Sequence, residues 1–147
     1  MQGTSHRLFN GTVAIALFLK FCHLYIIESY IVSLCIILFS SFPDLVEKLG
    51  MKHRGNSHSM LLYAGLLSLS WFGLLYGSFT IYWTACFIAG ASSAALLHIF
   101  ADAFSLHGIR VFGRPIKMGL YTTGKQSEQI FLLVCIITIV CIMYLTK

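Results

Sequence analysis

Residues 79–100 read FTIYWTACFIAGASSAALLHIF and contain no Lys, Arg, Asp or Glu. A helix needs about 20 consecutive apolar residues to cross a bilayer, so this stretch alone is long enough for one span. The rest of the chain agrees, because 58% of its 147 residues are hydrophobic and 10% are charged, against about 25% charged in soluble domains. This composition predicts a membrane-embedded all-α protein. It excludes a disordered chain and a disulfide-stapled secreted module, and it argues against a soluble enzyme.

The apolar segments on either side of this run predict further spans. The stretch 8–42 is too long for one span and tight for two, so we interpret it as two short helices with a sharp turn near Glu28. Together with the runs that flank Gly77-Ser78 and the apolar C-terminal segment, the pattern predicts a polytopic bundle of about five transmembrane helices. We expect one integral membrane domain, residues 1–147. The expected spans are 8–24, 29–42, 60–76, 79–100 and 129–145.

The basic residues predict how this bundle is oriented. The chain has 10 Lys and Arg and a net charge of +5. Since cytoplasmic loops carry an excess of Lys and Arg, we expect the N-terminus inside and the C-terminus outside a bacterial-type cytoplasmic (inner) membrane. Membrane lipid is the expected partner, and the absence of a helix-turn-helix or zinc-finger pattern argues against nucleic acid. The basic residues that five spans place on the cytoplasmic side are Arg7, Lys48, Lys52, Arg54, Arg110, Arg114, Lys117 and Lys125.

Several imidazole and carboxylate side chains fall on the same side of the membrane. These groups are the usual ligands of zinc, manganese and non-haem iron. His98 and Asp102 are one helical turn apart and so share a face, near the end of a membrane helix, where ionisable groups are costly. A capped helix end is the alternative interpretation of this pair. The candidates are His6, Asp44, His53, His58, His98, Asp102 and Glu128.

The densest candidate segment is HRGNSH, residues 53–58. Gly55 permits a tight turn that could bring His53 and His58 towards one centre. The planar guanidinium of Arg54 can clamp an anionic oxygen. The alternative is a basic, polar loop at the cytoplasmic interface.

The other candidates each have a simple structural explanation. Asp44 follows Pro43, and both residues are typical of turns. Glu128 begins the last helix, where the helix dipole favours an acid. His6 is explained equally well as a polar residue beside the membrane. Only the expected convergence of four distant segments at one level of the membrane favours a shared site.

Five motifs in this order carry a family resemblance: SHRLF, FPD, HRGNSHS, LLHIFADAFSLHGIRVFGRP and TGKQSEQIF. They resemble the YdjM-like family of membrane-bound metal-dependent hydrolases, which is distantly similar to the all-helical zinc-dependent phospholipase C and P1 nuclease group. The resemblance covers most of the chain. It implies a divalent metal, zinc with manganese or iron as alternatives, and hydrolysis of a phosphoester such as a phospholipid. The ligands that it implies are His6, Asp44, His53, His58, His98 and Asp102.

In this interpretation a metal-bound water is the nucleophile, Glu128 or Glu47 is the general base, and Arg54 steadies a phosphate. The chain departs from the family at PDLVE, residues 43–47, where PDxDH is usual, so a second Asp and a His are missing. This departure leaves a second hypothesis open, in which the protein is non-catalytic and binds a partner on the same scaffold. The sequence leaves the oligomeric state open.

Overall fold

A computed structural model describes residues 3–21, 25–48, 59–106, 108–111 and 114–145. Within these ranges the chain is predominantly helical, as the sequence predicts, with one short antiparallel hairpin that the sequence analysis did not predict. The elements in chain order are α1 (Gly3–Phe21), α2 (Ile26–Leu38), α3 (Phe42–Lys48), α4 (Met60–Tyr76), α5 (Phe79–Ala103), β1 (Ile109–Val111), β2 (Arg114–Ile116) and α6 (Gln126–Leu145).

Helix α5 is the centre of the fold, and it contacts α4, α2, α1 and α3. It is rich in Ala, Gly and Ser, and such small side chains let helix backbones approach closely. A Cβ added at Gly90 would lie 2.5 Å from the Cβ of Cys35 in α2. A Cβ added at Gly73 of α4 would lie 2.8 Å from the Cβ of Ala85 in α5. Both helix pairs are therefore in backbone-close contact that a larger side chain would disturb.

Two buried polar side chains connect α1 to its neighbours. The amide nitrogen of Asn10 donates to the carbonyl of Ala94 in α5 over 3.1 Å. The hydroxyl of Ser33 in α2 donates to the carbonyl of Ala14 over 3.0 Å. Helix α6 packs on α1, so α1 lies between α6 and the central helix.

The segment after α5 folds over the C-terminal end of that helix. Strands β1 and β2 pair in register with Ile109 opposite Ile116. The chain then returns beside α5, where the amides of Met118 and Leu120 donate to the carbonyls of Ala103 and Phe104 over 2.9 and 2.8 Å. The end of α5 is thereby held in place by backbone hydrogen bonds.

The outer faces of the helices are apolar. Large hydrophobic side chains are exposed on every long helix, for example Leu69, Phe79 and Leu145 at 68%, 79% and 81%. In the part of the chain that the structure describes, α5 and α6 are long and apolar enough to cross a membrane, and α2 and α4 are shorter apolar helices. The fold thus contains two helices of spanning length.

The predicted helix bounds agree closely with the structure around Gly77, where α4 ends at Tyr76 and α5 begins at Phe79. The predicted turn near Glu28 is wrong, because α1 ends at Phe21 and α2 begins at Ile26. Glu28 lies in the first turn of α2, where the positive end of the helix dipole favours an acid. The hydroxyl of Tyr82 also donates to its carboxylate over 2.8 Å.

The bounds of the second predicted span also need correction. Helix α2 ends at Leu38, and a separate short helix, α3, begins at Phe42. Pro43 is tolerated in the first turn of a helix because its missing N–H is not needed there. Asp44 is consequently in a first helical turn and not in the open turn of the alternative interpretation.

Candidate metal centre

His6, His98 and Asp102 lie together at one end of the bundle. His6 is near the start of α1, and the other two residues are in the last turns of α5. One potential ligand atom from each lies within 4.8 Å of the others. The two histidines are 0% exposed and Asp102 is 7% exposed. The start of α1 and the end of α5 thus bring His6 beside two residues that lie 92 and 96 positions further along the sequence.

The two imidazole rings stack, with 3.7 Å between their centroids and 16° between their planes. The Asp102 carboxylate faces both rings, since Oδ1 is 3.3 Å from His6 Nε2 and Oδ2 is 3.8 Å from His98 Nε2. One carboxylate is therefore shared between two imidazoles.

Asp44 approaches the same histidine from α3. Its Oδ1 is 3.2 Å from His98 Nε2, and its side chain is 35% exposed. Partial burial raises the pKa of Asp44, but the hydrogen bond with His98 and the charges of His98 and His6 outweigh burial and bring the pKa below its usual value. Asp44 is thus an anion at the accessible edge of the cluster.

The tautomer of His98 follows from its second ring nitrogen. His98 Nδ1 is 2.8 Å from the backbone carbonyl oxygen of Ser40. A carbonyl oxygen can only accept, so Nδ1 carries the proton and the lone pair of a neutral ring is on Nε2. That lone pair points at the carboxylates of Asp44 and Asp102. A proton on Nε2, which makes His98 an imidazolium, or a metal cation between these atoms makes the contact attractive.

The ligand geometry also accommodates a divalent cation in place of the second proton on His98. Only one of the two histidines is expected to be protonated without a metal, because two imidazolium rings would lie face to face at 3.7 Å. Four ligands arranged tetrahedrally at about 2.1 Å from zinc lie roughly 3.4 Å from one another, close to the 3.2 and 3.3 Å contacts of Asp44 and Asp102 with the histidines. Histidines that bind metals commonly donate their other N–H to a backbone carbonyl, as His98 does. The residues present therefore fit a divalent cation.

Glu128 lies in the first turn of α6 and is 2% exposed. Its Oε2 accepts the backbone N–H of Gly124 over 2.5 Å. Burial, followed by the negative charges of Asp102 and Glu128, raises the pKa of Tyr121. The hydrogen bond with Gly124, just before α6, therefore supports the interpretation of Glu128 as a residue that stabilises the start of this helix.

The remaining predicted site residues cannot be placed against this cluster. His53, Arg54 and His58 lie outside the described residues, and so does the side chain of Glu47, whose backbone belongs to α3. Among the described candidates, the structure brings together His6, Asp44, His98 and Asp102.

Three residues of this region were missed by the sequence analysis. Ser40 acts through its backbone carbonyl, which no side-chain pattern can indicate. The Tyr121 hydroxyl donates to the carbonyl of Ala101 over 2.7 Å, next to Asp102, and a lone loop tyrosine gives no such signal. Asn10 lies one helical turn after His6 and so on the same face of α1, and this spacing could have identified it.

No family model matches this chain, and neither a curated protein nor a solved structure gives a significant match. The cluster must accordingly be interpreted from its own geometry.

Proposed function

We propose that this protein is a membrane-embedded, metal-dependent hydrolase whose divalent cation is held by His6, His98 and Asp102, with Asp44 as a further ligand at the accessible edge. The observation that carries the proposal is the hydrogen bond of His98 Nδ1 to Ser40. It directs the Nε2 lone pair at two carboxylates, an arrangement that a cation stabilises.

The ligand types favour zinc as the cation. Two imidazoles and one or two carboxylates are a common zinc donor set. Manganese and non-haem iron accept the same atoms and remain alternatives. The 3.2 and 3.3 Å separations between donor atoms are close to the roughly 3.4 Å between the ligand atoms of a tetrahedral zinc.

A bound divalent cation would supply a water whose pKa falls towards about 7, and hence a hydroxide nucleophile at neutral pH. The residues of the chain then have separate tasks. Asp44 connects the buried cluster to its accessible side, since it is the most exposed of the four residues. Glu128 and Glu47 remain the candidate general bases, and Arg54 the candidate phosphate contact.

A phosphoester substrate is supported by charge and by the motif resemblance. Arg7 is exposed and directly follows His6, and Lys117 and Lys125 are exposed on the segment that covers the end of α5. Exposed cations around a buried cation site attract an anionic substrate. The resemblance to the YdjM-like hydrolases and their distant phospholipase C relatives indicates the same class, and a phospholipid headgroup is the simplest substrate for a site at a membrane surface.

The proposed location is the cytoplasmic face of an inner membrane, with α1, α2, α4, α5 and α6 as five spans. The apolar outer faces of these helices support it, and so do the eight basic residues expected on the side of the cluster. Helix α2 is the shortest, with 13 residues and about 20 Å of length. A hydrocarbon core near 30 Å must therefore thin around it.

The proposal is tested with untagged protein purified in detergent, beside a His98→Ala/Asp102→Ala variant and a Glu28→Gln control. The control also alters a carboxylate between helices, but one bonded to Tyr82 and absent from the cluster. We expect near-stoichiometric zinc, manganese or iron in the wild type and the control, and none in the double variant. Hydrolysis of phosphoester substrates in vesicles should follow metal content.

Absence of metal from folded wild-type protein, even after zinc is supplied, would contradict the proposal. It would favour the partner-binding hypothesis that the altered PDLVE segment suggests. Metal binding without hydrolysis of any phosphoester would retain the site and reject the enzyme.

A further inference from the structure

Asn10 is buried beside the histidine pair, and the orientation of its amide is determined. It is 0% exposed, and its side chain lies 3.1 Å from the carbonyl oxygen of Ala94. A carbonyl oxygen only accepts, so the atom that faces it must be the amide nitrogen. The amide oxygen, Oδ1, therefore points elsewhere, and it has no hydrogen-bond partner among the described residues.

His6, one helical turn from Asn10, also has a ring nitrogen without a hydrogen-bond partner among the described residues. Residues four apart on a helix lie on the same face, so Asn10 and His6 both face α5, where they meet Ala94 and His98. These two partners are also four residues apart. His6 Nε2 faces the Asp102 carboxylate, and its Nδ1 has no hydrogen-bond partner in the described ranges. When Nε2 binds a cation, the proton resides on Nδ1 and needs an acceptor.

A third buried polar atom of the same kind belongs to Ser40, which contacts the histidine pair through its backbone. Ser40 is 1% exposed, and its backbone carbonyl holds His98, which stacks on His6. Its hydroxyl likewise has no hydrogen-bond partner within the described part of the chain. Buried polar groups are nearly always satisfied, and a buried water typically makes about three hydrogen bonds to such groups.

We propose that one buried water molecule bridges Asn10 Oδ1, His6 Nδ1 and the Ser40 hydroxyl, and that Asn10 is thereby a positioning residue for the cation site. The water accepts a hydrogen bond from the Nδ1–H of His6 and donates one to the Asn10 oxygen. It fixes the His6 tautomer whose Nε2 lone pair faces Asp102. This inference rests on the proposed cation site and assigns the outer partner of its second histidine, as the Ser40 carbonyl is the outer partner of the first.

The test measures zinc affinity by competition with a chromophoric chelator, in detergent, for wild type, Asn10→Leu and Ser33→Ala. Leucine has a similar volume but cannot bind the water. Ser33→Ala is the matched control, because it also removes one buried hydrogen bond from a side chain to a helix carbonyl, two turns along α1 from His6. We expect Asn10→Leu to weaken zinc binding about 10- to 100-fold and Ser33→Ala to leave it within about twofold.

Each other result has a defined meaning. Unchanged zinc affinity in Asn10→Leu overturns the positioning role and leaves the cation site intact. An equal loss in Ser33→Ala overturns it too, because helix packing would then explain both. If the wild type binds no zinc, the proposed function fails and this inference fails with it.

A second measurement decides the matter if Asn10→Leu does not fold. ¹⁵N-histidine spectra of zinc-loaded wild type, assigned by through-bond correlation to the backbone, report which ring nitrogen of His6 is protonated. The proposal expects the proton on Nδ1. A proton on Nε2 overturns it.

Discussion

The two ends of α5 both carry polar groups between apolar helices, but they satisfy them in different ways. At the tyrosine end, the Tyr82 hydroxyl donates to Glu28 over 2.8 Å, which pairs one donor with one acceptor. At the histidine end, formed by His98 and Asp102, the Nε2 lone pair of His98 faces two carboxylates. We infer from this difference that an ionisable group between apolar helices points to a cation site when more than one carboxylate converges on the same ring nitrogen.

The largest expected difference between the two ends is in cation binding. Asp102→Asn removes the carboxylate shared by both histidines, so zinc affinity should fall by at least about 1,000-fold, or about 4 kcal/mol. In the wild type, zinc at 100 times its Kd should stabilise the fold by about 2.7 kcal/mol, with a matching rise in Tm. Thermal unfolding with zinc and with chelator measures both. A zinc-dependent rise in Tm that survives in Asp102→Asn would contradict the assignment.

A change midway along α5 should affect both ends. Gly90→Ala places a Cβ 2.5 Å from that of Cys35 and must push α2 away, at a cost of about 1–3 kcal/mol. Helix α2 carries Glu28 and leads to Ser40 and Asp44, so zinc binding should weaken as well. The control is Gly65→Ala in α4, where a new Cβ meets nothing within 4 Å. Equal stability of the two variants, measured by thermal unfolding, would show that the contact at Gly90 is not tight.

The tyrosine end should matter for stability alone. Tyr82→Phe removes the only donor that the structure gives Glu28 within the described residues, so we expect a loss of about 1–3 kcal/mol and unchanged zinc affinity. Tyr76→Phe, which alters a side chain that is 80% exposed, is the matched control. Weaker zinc binding in Tyr82→Phe would remove the distinction between the two ends.

The smallest expected effect comes from the loop hydrogen bond that Tyr121 donates next to the histidine end. Tyr121→Phe removes the hydrogen bond to the Ala101 carbonyl and should cost about 1 kcal/mol. Because Ala101 precedes Asp102, zinc affinity should also fall, but less than in Asn10→Leu. Tyr144→Phe, at a position 77% exposed, should change neither quantity. A Tyr121→Phe loss larger than that of Asn10→Leu would reverse the ranking of these two residues.

The helices could be predicted from the sequence because their signals are local. Apolar runs separated by Gly77-Ser78 define α4 and α5, and the four-residue spacing of His98 and Asp102 places them on one face. The position of the turn between α1 and α2 could not be predicted, because Glu28 interrupts the apolar pattern although it lies inside α2. Its partner Tyr82 is 54 residues away, and only the tertiary fold brings this donor to Glu28.

The cluster itself was predictable only in part. Alternating helix directions bring His6 and Asp44 to the level of His98. These directions follow from the order of the apolar runs in the sequence alone. The Ser40 carbonyl and the Tyr121 hydroxyl, which orient the cluster, depend on backbone geometry and on a loop that returns to α5. Such contacts have no signature in the order of residue types.

The most direct test of the central claim is zinc X-ray absorption spectroscopy on zinc-loaded wild-type protein. We expect two imidazole nitrogens and carboxylate oxygen at about 2.0–2.2 Å from the metal, and loss of one imidazole in His6→Ala. A zinc coordinated without imidazole, or by cysteine sulfur at about 2.3 Å, would contradict the claim that these stacked histidines form a cation site.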